Sequence, residues 1–364
     1  MQRRSFLKKA AVGVAAGTVA APAIAKSNPK ISWRLAASWP KSLDTIFGGA
    51  DEIARTVSAM TDGNFTIRTF AGGEIVPGLQ VLDAVQNGTV ELGHTAPYYY
   101  IGKDLGFAFG TCVPFGMTDR QANAWWQFGG GKEIMEPLFS EYGVKAILSG
   151  NTGTQMGGWF RKEVKTVDDM KGLRFRIGGL GGRVIAKIGV VPTMVAVADI
   201  YPSLEKGTID GCEWIGPYDD EKLGFQKVAK YYYAPGWWEG GPKLMTLVNQ
   251  QKWHDLPKHY QSILETACHA ANEWMMAKYD NVNPAALRRL IAGGTQLRYF
   301  SREIMEASEK GAYELYKENM SKSKHWARIY PQWLAYRNQA IEWHRFNDST
   351  YTNYLFFSKI KART

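Results

Sequence analysis

A short unit of the chain occurs twice, and this repetition limits the fold more than any other feature. Val81-Leu-Asp-Ala-Val85-Gln-Asn-Gly88-Thr-Val-Glu91 is echoed by Ile200-Tyr-Pro-Ser-Leu204-Glu-Lys-Gly207-Thr-Ile-Asp210. Aligning Gly88 with Gly207 matches the apolar helix positions, the terminating glycine, the threonine, a β-branched residue and a carboxylate. A helix stopped by Asn-Gly or Lys-Gly and followed by a strand is one turn of an α/β layer. Two such turns over a hundred residues apart predict two similar α/β lobes facing each other across a cleft. In open α/β sheets, ligands bind beyond the carboxyl ends of the strands. That places His94 and Thr95 at one lip, and Glu213 and Trp214 at the other.

The flanking pattern agrees. Ile31, Trp33 and Leu35 alternate as a strand, and Ile53, Val57 and Met60 line a helix that Asp62-Gly63 ends. Phe65 and Ile67 begin a second strand. Near the other end, Ile304, Ala307, Ala312 and Leu315 give a helical stretch over 301–315. From Lys322 onward the chain turns aromatic, with Trp326, Tyr330, Trp333, Tyr336, Trp343, Phe346, Tyr351, Tyr354, Phe356 and Phe357. Such an appendage needs a surface to bury it: its own lobe or a second copy.

The opening residues predict export. Gln2-Arg3-Arg4-Ser5-Phe6-Leu7-Lys8 has the twin-arginine pattern, Ala10–Ala21 is too short and weakly apolar to span a bilayer, and Ala23-Ile24-Ala25 is a small-x-small cleavage site. Residues 1–25 are therefore expected to be a signal peptide, leaving 339 of 364 residues and lowering the formal charge from +10 to +6. A modest positive balance on a chain this long does not argue for nucleic acid; it suits an anionic solute or an acidic partner. Cys112, Cys212 and Cys268 have no metal-site spacing and read as small buried hydrophobes.

Enzyme signatures fail one by one. Gly178-Gly-Leu-Gly-Gly182 resembles a phosphate loop, but Val184 stands where the third glycine belongs. Gly129-Gly-Gly-Lys132 lacks the following Ser or Thr, and neither H-E-x-x-H nor G-x-S-x-G occurs. One binding motif does stand out, Gly172-Leu173-Arg174-Phe175-Arg176-Ile177-Gly178. Leu173, Phe175 and Ile177 form the buried face of a strand, while Arg174 and Arg176 project from the other. A guanidinium at a strand end beside a glycine pair suits a two-pronged carboxylate clamp. Trp237-Trp238-Glu239-Gly240-Gly241-Pro242 reads either as a cleft wall or as core.

Asp168-Asp169-Met170-Lys171-Gly172-Leu173-Arg174-Phe175-Arg176, Gly207-Thr-Ile-Asp210-Gly211 and Cys212-Glu213-Trp214 together resemble the solute-binding subunits of tripartite ATP-independent periplasmic (TRAP) transporters, in their 2-oxoacid-binding branch. Gly88-Thr-Val-Glu91-Leu92 and Tyr98-Tyr-Tyr100 extend the likeness into the first half. The resemblance implies a two-lobed periplasmic-binding-protein fold, no enzymatic activity, and a periplasmic receptor delivering its solute to TRAP membrane subunits. It implies lobe 1 at 26–152 with a return at about 242–280, lobe 2 at 153–241 with about 281–320, and a helical extension at 321–364 that joins two copies as a homodimer. It further implies Arg176 on the substrate carboxylate, with Gln155, Tyr98, Tyr100 and Trp214 around the substrate. Gln155, Glu213, the Trp214 backbone and Glu239 would surround a metal ion that bridges to it.

A 2-oxoacid such as pyruvate chelates a hard cation through carboxylate and keto oxygens, and an all-oxygen shell disfavours zinc. Substrate and Glu213 carry two negative charges, which Arg176 and Na⁺ balance. Ca²⁺ needs Glu239 as well. Buried charge must be paired, so Na⁺ is the first expectation and Ca²⁺ the second. A 2-hydroxy acid such as lactate, or a polyol, satisfies the same chelate. An exported hydrolase acting on carbohydrate or organic acid through Glu213 and Glu239 is the remaining alternative.

Overall fold

The computed structural model describes residues 29–358; the signal-peptide reading lies outside them. Eleven strands build two sheets. The first contains β1 (Ile31–Ala37), β2 (Phe65–Phe70), β3 (Leu92–Thr95), β4 (Val144–Asn151) and, after a long excursion, β10 (Lys243–Asn249), in the order β2-β1-β3-β10-β4. The second contains β5 (Gly158–Phe160), β6 (Arg174–Arg176), β7 (Val191–Thr193), β8 (Gly211–Cys212), β9 (Tyr231–Ala234) and β11 (Gln296–Tyr299), in the order β11-β9-β5-β8-β6-β7. The α/β two-sheet architecture expected from the echo is what the chain adopts.

The echoed units occupy equivalent places. Helices Val81–Gln86 and Ile200–Glu205 each end at a glycine in the left-handed region, Gly88 with φ +72° and Gly207 with φ +70°. A side chain at either position would strain the turn. The chain then enters β3, parallel to β1, and β8, parallel to β6. The carboxylates ending each unit do the same work. Glu91 accepts from the Arg34 backbone and pairs with its guanidinium at 2.9 Å; Asp210 accepts from the Arg174 backbone and pairs with its guanidinium at 2.8 Å. Each bridge staples a unit to the neighbouring parallel strand. Arg174 is thereby committed to the outer surface, although strand alternation puts it on the same face as Arg176.

The chain passes between the sheets three times. Residues 152–157 lead from β4 to β5, and 235–242 lead from β9 to β10. These two passages are hydrogen-bonded to each other: Gln155 N donates to Glu239 O at 3.1 Å, and Gly236 N to Gln155 O at 2.9 Å. The third is the helix Lys258–Ala292, which packs on β4 and on the helix Ile46–Met60 and also meets the helix Pro217–Leu223. Among the described residues no helix is long and apolar enough to cross a membrane.

The first part of the aromatic C-terminal segment packs on the body, and its end is exposed. In the helix Lys324–Phe346, Trp326, Ile329 and Trp333 are buried against the body; the Trp326 ring lies 4.6 Å from Phe109 and its indole donates to Tyr316 O at 3.1 Å. Beyond that, Trp343 is 57% and Phe346 80% exposed, and the helix Asp348–Phe357 buries nothing. The three cysteines are free thiols, Cys212 and Cys268 buried and Cys112 half-buried.

Candidate ligand-binding site

The carboxyl ends of β3, β6 and β8 converge on the paired crossing segments, and the polar residues of interest gather there. Gln155 and Glu239 come from the crossings, Arg176 from the end of β6, Glu213 and Trp214 from just beyond β8, and Tyr98 from the turn after β3. Gln155, Arg176, Glu213 and Glu239 are each at most 5% exposed. Long polar side chains are buried to this degree only when paired or functional.

Arg176 and Glu213 form a fully enclosed ion pair. The guanidinium Nη1 lies 2.5 Å from Glu213 Oε1 and donates to Glu213 O at 2.9 Å; Nε donates to Val195 O at 3.3 Å. Gly178 N donates to the same Oε1 at 2.9 Å, and the guanidinium stands 5.3 Å from the Trp214 ring centre. Burial works against both charges. It pushes the Glu213 carboxyl up, with the Arg176 charge and the Gly178 N–H pulling it back. It also opposes the Arg176 charge, but Glu213, with smaller contributions from Tyr99, Tyr98 and Cys212, outweighs it and holds the guanidinium protonated. The result is an ion pair whose cost falls on the carboxylate.

Beside it lies a cavity of about 10 Å³, room for about one water. Tyr98, Tyr99, Thr152, Gln155, Trp214 and Glu239 line it, closed off by Trp39, Ile215 and Pro242. Two lining oxygens, Gln155 Oε1 and Glu239 Oε2, are buried without a hydrogen-bond partner. Gln155 Nε2 donates to Thr152 Oγ1 at 3.1 Å, which leaves the amide oxygen facing the cavity. Burial raises the Glu239 carboxyl well above the carboxylate range, and the nearby Glu213 charge raises it further; Arg176 and the Tyr98 hydroxyl offset this only in part. An amide oxygen and a carboxyl with no donor between them suit a hard cation, which would satisfy both and let Glu239 ionise. Among the described residues no cluster of three or more His, Cys, Asp or Glu occurs, so a softer-metal site is not built.

Several sequence expectations need correcting here. Tyr100 does not line the cavity: its hydroxyl is 2.9 Å from Thr95 Oγ1 and accepts from Leu82 N at 3.1 Å, inside its own lobe. Tyr99, next to it in the one-turn helix Pro97–Tyr100, takes the wall position. His94 and Thr95 are not at the lip. β3 runs between β1 and β10, so His94 is wholly buried, its ring 5.4 Å from Trp39, and Thr95 bonds Ser38 at 2.6 Å. Trp237 and Trp238 are core, with Trp237 stacked on Phe115 at 4.9 Å. Arg176 and Glu213 lie beside the cavity rather than in its wall, their side chains turned onto each other.

Behind Trp214, two further acids are buried at the start of the helix Pro217–Leu223. Burial raises Asp219 to about 6 against a 2.7 Å hydrogen bond from Tyr279. It raises Asp220 to about 7 against bonds from Tyr232 at 2.6 Å and Trp159 at 2.9 Å. Composition gave no signal for this pair, since Asp-Asp at a helix start reads as an ordinary cap.

The family model for bacterial extracellular solute-binding protein, family 7, matches residues 35–323. The monocarboxylate 2-oxoacid-binding periplasmic protein of Nostoc sp. is 48% identical over 97% of this chain and 99% of its own. A TRAP transporter solute-binding protein of Bordetella bronchiseptica superposes with a TM-score of 0.89 at 49% identity, covering 90% of this chain and 98% of that one. It was solved as a mixed-occupancy dimer, with copurified calcium and picolinate in a bound active site and a second site apo. A TRAP periplasmic solute-binding protein of Pseudoalteromonas atlantica, with sodium and pyruvate bound, superposes with a TM-score of 0.86 at 38% identity, covering 89% of this chain and 99% of that one.

Proposed function

The chain belongs to bacterial extracellular solute-binding protein family 7, and from that membership and the chemistry of the cavity we propose that it is the periplasmic receptor of a TRAP transporter for pyruvate or a close 2-oxoacid. It is a receptor and not an enzyme. The carrying observation is the pair of buried, unpartnered oxygens, Gln155 Oε1 and Glu239 Oε2, in one cavity beside the Arg176–Glu213 ion pair.

Binding is an exchange of partners. The carboxylate of the solute would take Arg176, and Glu213, Gln155, Glu239 and the Trp214 backbone would hold the cation. One neutral pair is replaced by two, so no uncompensated charge is left buried. The cation supplies a hard Lewis acid for the carboxylate and keto oxygens; with Glu239 neutral Na⁺ balances the site, and with Glu239 ionised Ca²⁺ does. The relatives support both ions, with sodium beside pyruvate in one and calcium beside picolinate in the other. Tyr98, Tyr99 and Trp214 wall the cavity. Glu213 is unsuited to hydrolysis, because its carboxylate is locked to a guanidinium.

We assign lobe 1 to 26–152 with about 242–280 and lobe 2 to 153–241 with about 281–320. Residues 1–25 would direct export by the twin-arginine route. The exposed aromatic end of the 321–364 extension fits a homodimer, with a groove of about 380 Å³ between Arg120, Ala124, Tyr336 and Trp343 to receive a second copy. The test is a titration of the protein with pyruvate, followed by tryptophan fluorescence, in Na⁺, in Ca²⁺ and with both removed. A saturable change that needs a cation supports the reading; no change in any condition removes the 2-oxoacid. Competition by lactate separates oxo from hydroxy acids.

A further inference from the structure

The glycine-rich turn after β6 resembles a phosphate loop but holds no phosphate chemistry, and its first two residues lie against the opposite lobe. A Cβ built on Gly178 would stand 2.5 Å from Tyr98 Cε2 and 2.9 Å from its hydroxyl; one on Gly179 would stand 3.0 Å from Tyr98 Cδ2. Tyr98 belongs to the turn after β3 in the first sheet, and Gly178 follows β6 in the second. One edge of the ring therefore lies against bare backbone of the other lobe. It has little freedom to step aside. Tyr98 N is held by Thr111 Oγ1 at 3.1 Å, and Tyr99 packs edge-on 4.9 Å away.

Gly178 does not need to be glycine for its own backbone. Its φ of −87° and ψ of 167° are open to any residue. What forbids a side chain is the other lobe, and only when the cleft is shut. We propose that Gly178 is a positioning residue for closure: its missing side chain is the seat on which Tyr98 comes to rest, and a methyl group there holds the lobes apart. The same residue donates its N–H to Glu213 Oε1, so the seat and the ion pair are set by one peptide. The inference rests on the receptor reading above.

The test is Gly178→Ala in the full chain, alone and with Tyr98→Ala. Binding through a closed state weakens in proportion to the fraction of molecules able to close. Gly178→Ala is expected to weaken pyruvate binding at least about tenfold and to abolish the ligand-induced contraction seen by small-angle X-ray scattering. The melting temperature without ligand should stay at the parent value, which a folding role would not allow. In the Tyr98→Ala background, Gly178→Ala should add no further loss. The inference is overturned if Gly178→Ala binds and contracts like the parent, if it lowers the ligand-free melting temperature, or if its effect persists without the Tyr98 ring. A parent protein that binds none of the test acids overturns the receptor reading, and the inference with it.

Discussion

Removing the guanidinium of Arg176 tests the proposed exchange of partners most directly, because its effects on stability and on binding can be separated. Arg176→Ala strips Glu213 of contacts at 2.5 and 2.9 Å and leaves its carboxylate with Gly178 N alone. Breaking a buried pair by deleting one partner costs about 3–5 kcal/mol. The escape route, protonating Glu213, gives a similar figure: neutralising a carboxyl of ordinary pKa near 4.3 at about pH 7.5 costs about 4 kcal/mol. Arg176→Ala should therefore lose about 4 kcal/mol of stability, read by urea denaturation. Arg176→Met combined with Glu213→Gln removes both charges and fills the space, so most of that stability should return. Binding should not return. The carboxylate of the solute would enter a buried site without a cationic partner, a loss of at least about 3 kcal/mol or roughly a hundredfold in Kd, read by calorimetry with pyruvate in Na⁺ and in Ca²⁺. A stable double variant that binds pyruvate within about threefold of the parent would refute the clamp.

Two further outcomes are expected. Asp220, raised to about 7 in the folded protein against about 3.9 unfolded, binds a proton in the native state that the unfolded chain gives up. The stability this contributes is present below about pH 4 and is lost as pH rises through 7, at no more than about 1.4 kcal/mol per pH unit. Denaturation midpoints of the parent should therefore fall between pH 5 and 8 relative to those of Asp220→Asn, and parallel profiles would show the acid is not perturbed. Ending the chain after Gln339, which removes Trp343, Phe346 and the helix Asp348–Phe357, should leave a monomer by light scattering with pyruvate affinity unchanged; a dimer that survives the truncation places the interface elsewhere.

The features legible in the sequence were those with a period or a repeat. The echoed units predicted both left-handed glycines and both parallel strands, because a helix stop and a strand start leave local marks. Arg176 was found because it ends an alternating strand, but alternation alone could not separate it from Arg174; what distinguishes them is Asp210, thirty-six residues away. Gln155 and Glu239 sit on irregular crossing segments, which carry no periodicity, so only the family likeness pointed to them. In Tyr98-Tyr99-Tyr100 the composition is uniform, and a single turn of helix decides which ring faces the cavity. His94 was placed at a lip on the assumption that its strand ends in solvent, whereas β10 returns from far along the chain to cover it.

The pairing of the two crossing segments through Gln155 and Glu239 has a mechanical corollary. Any relative rotation of the lobes pivots about these segments, and atoms near a pivot travel least. On the proposed reading, Gln155 and Glu239 would keep their places as the lobes open, while Arg176 and Tyr98, carried on the two lobes, would sweep through a larger arc. A substitution at the pivot would reset affinity and resting angle together; one on a jaw would change only the grip at the end of the stroke.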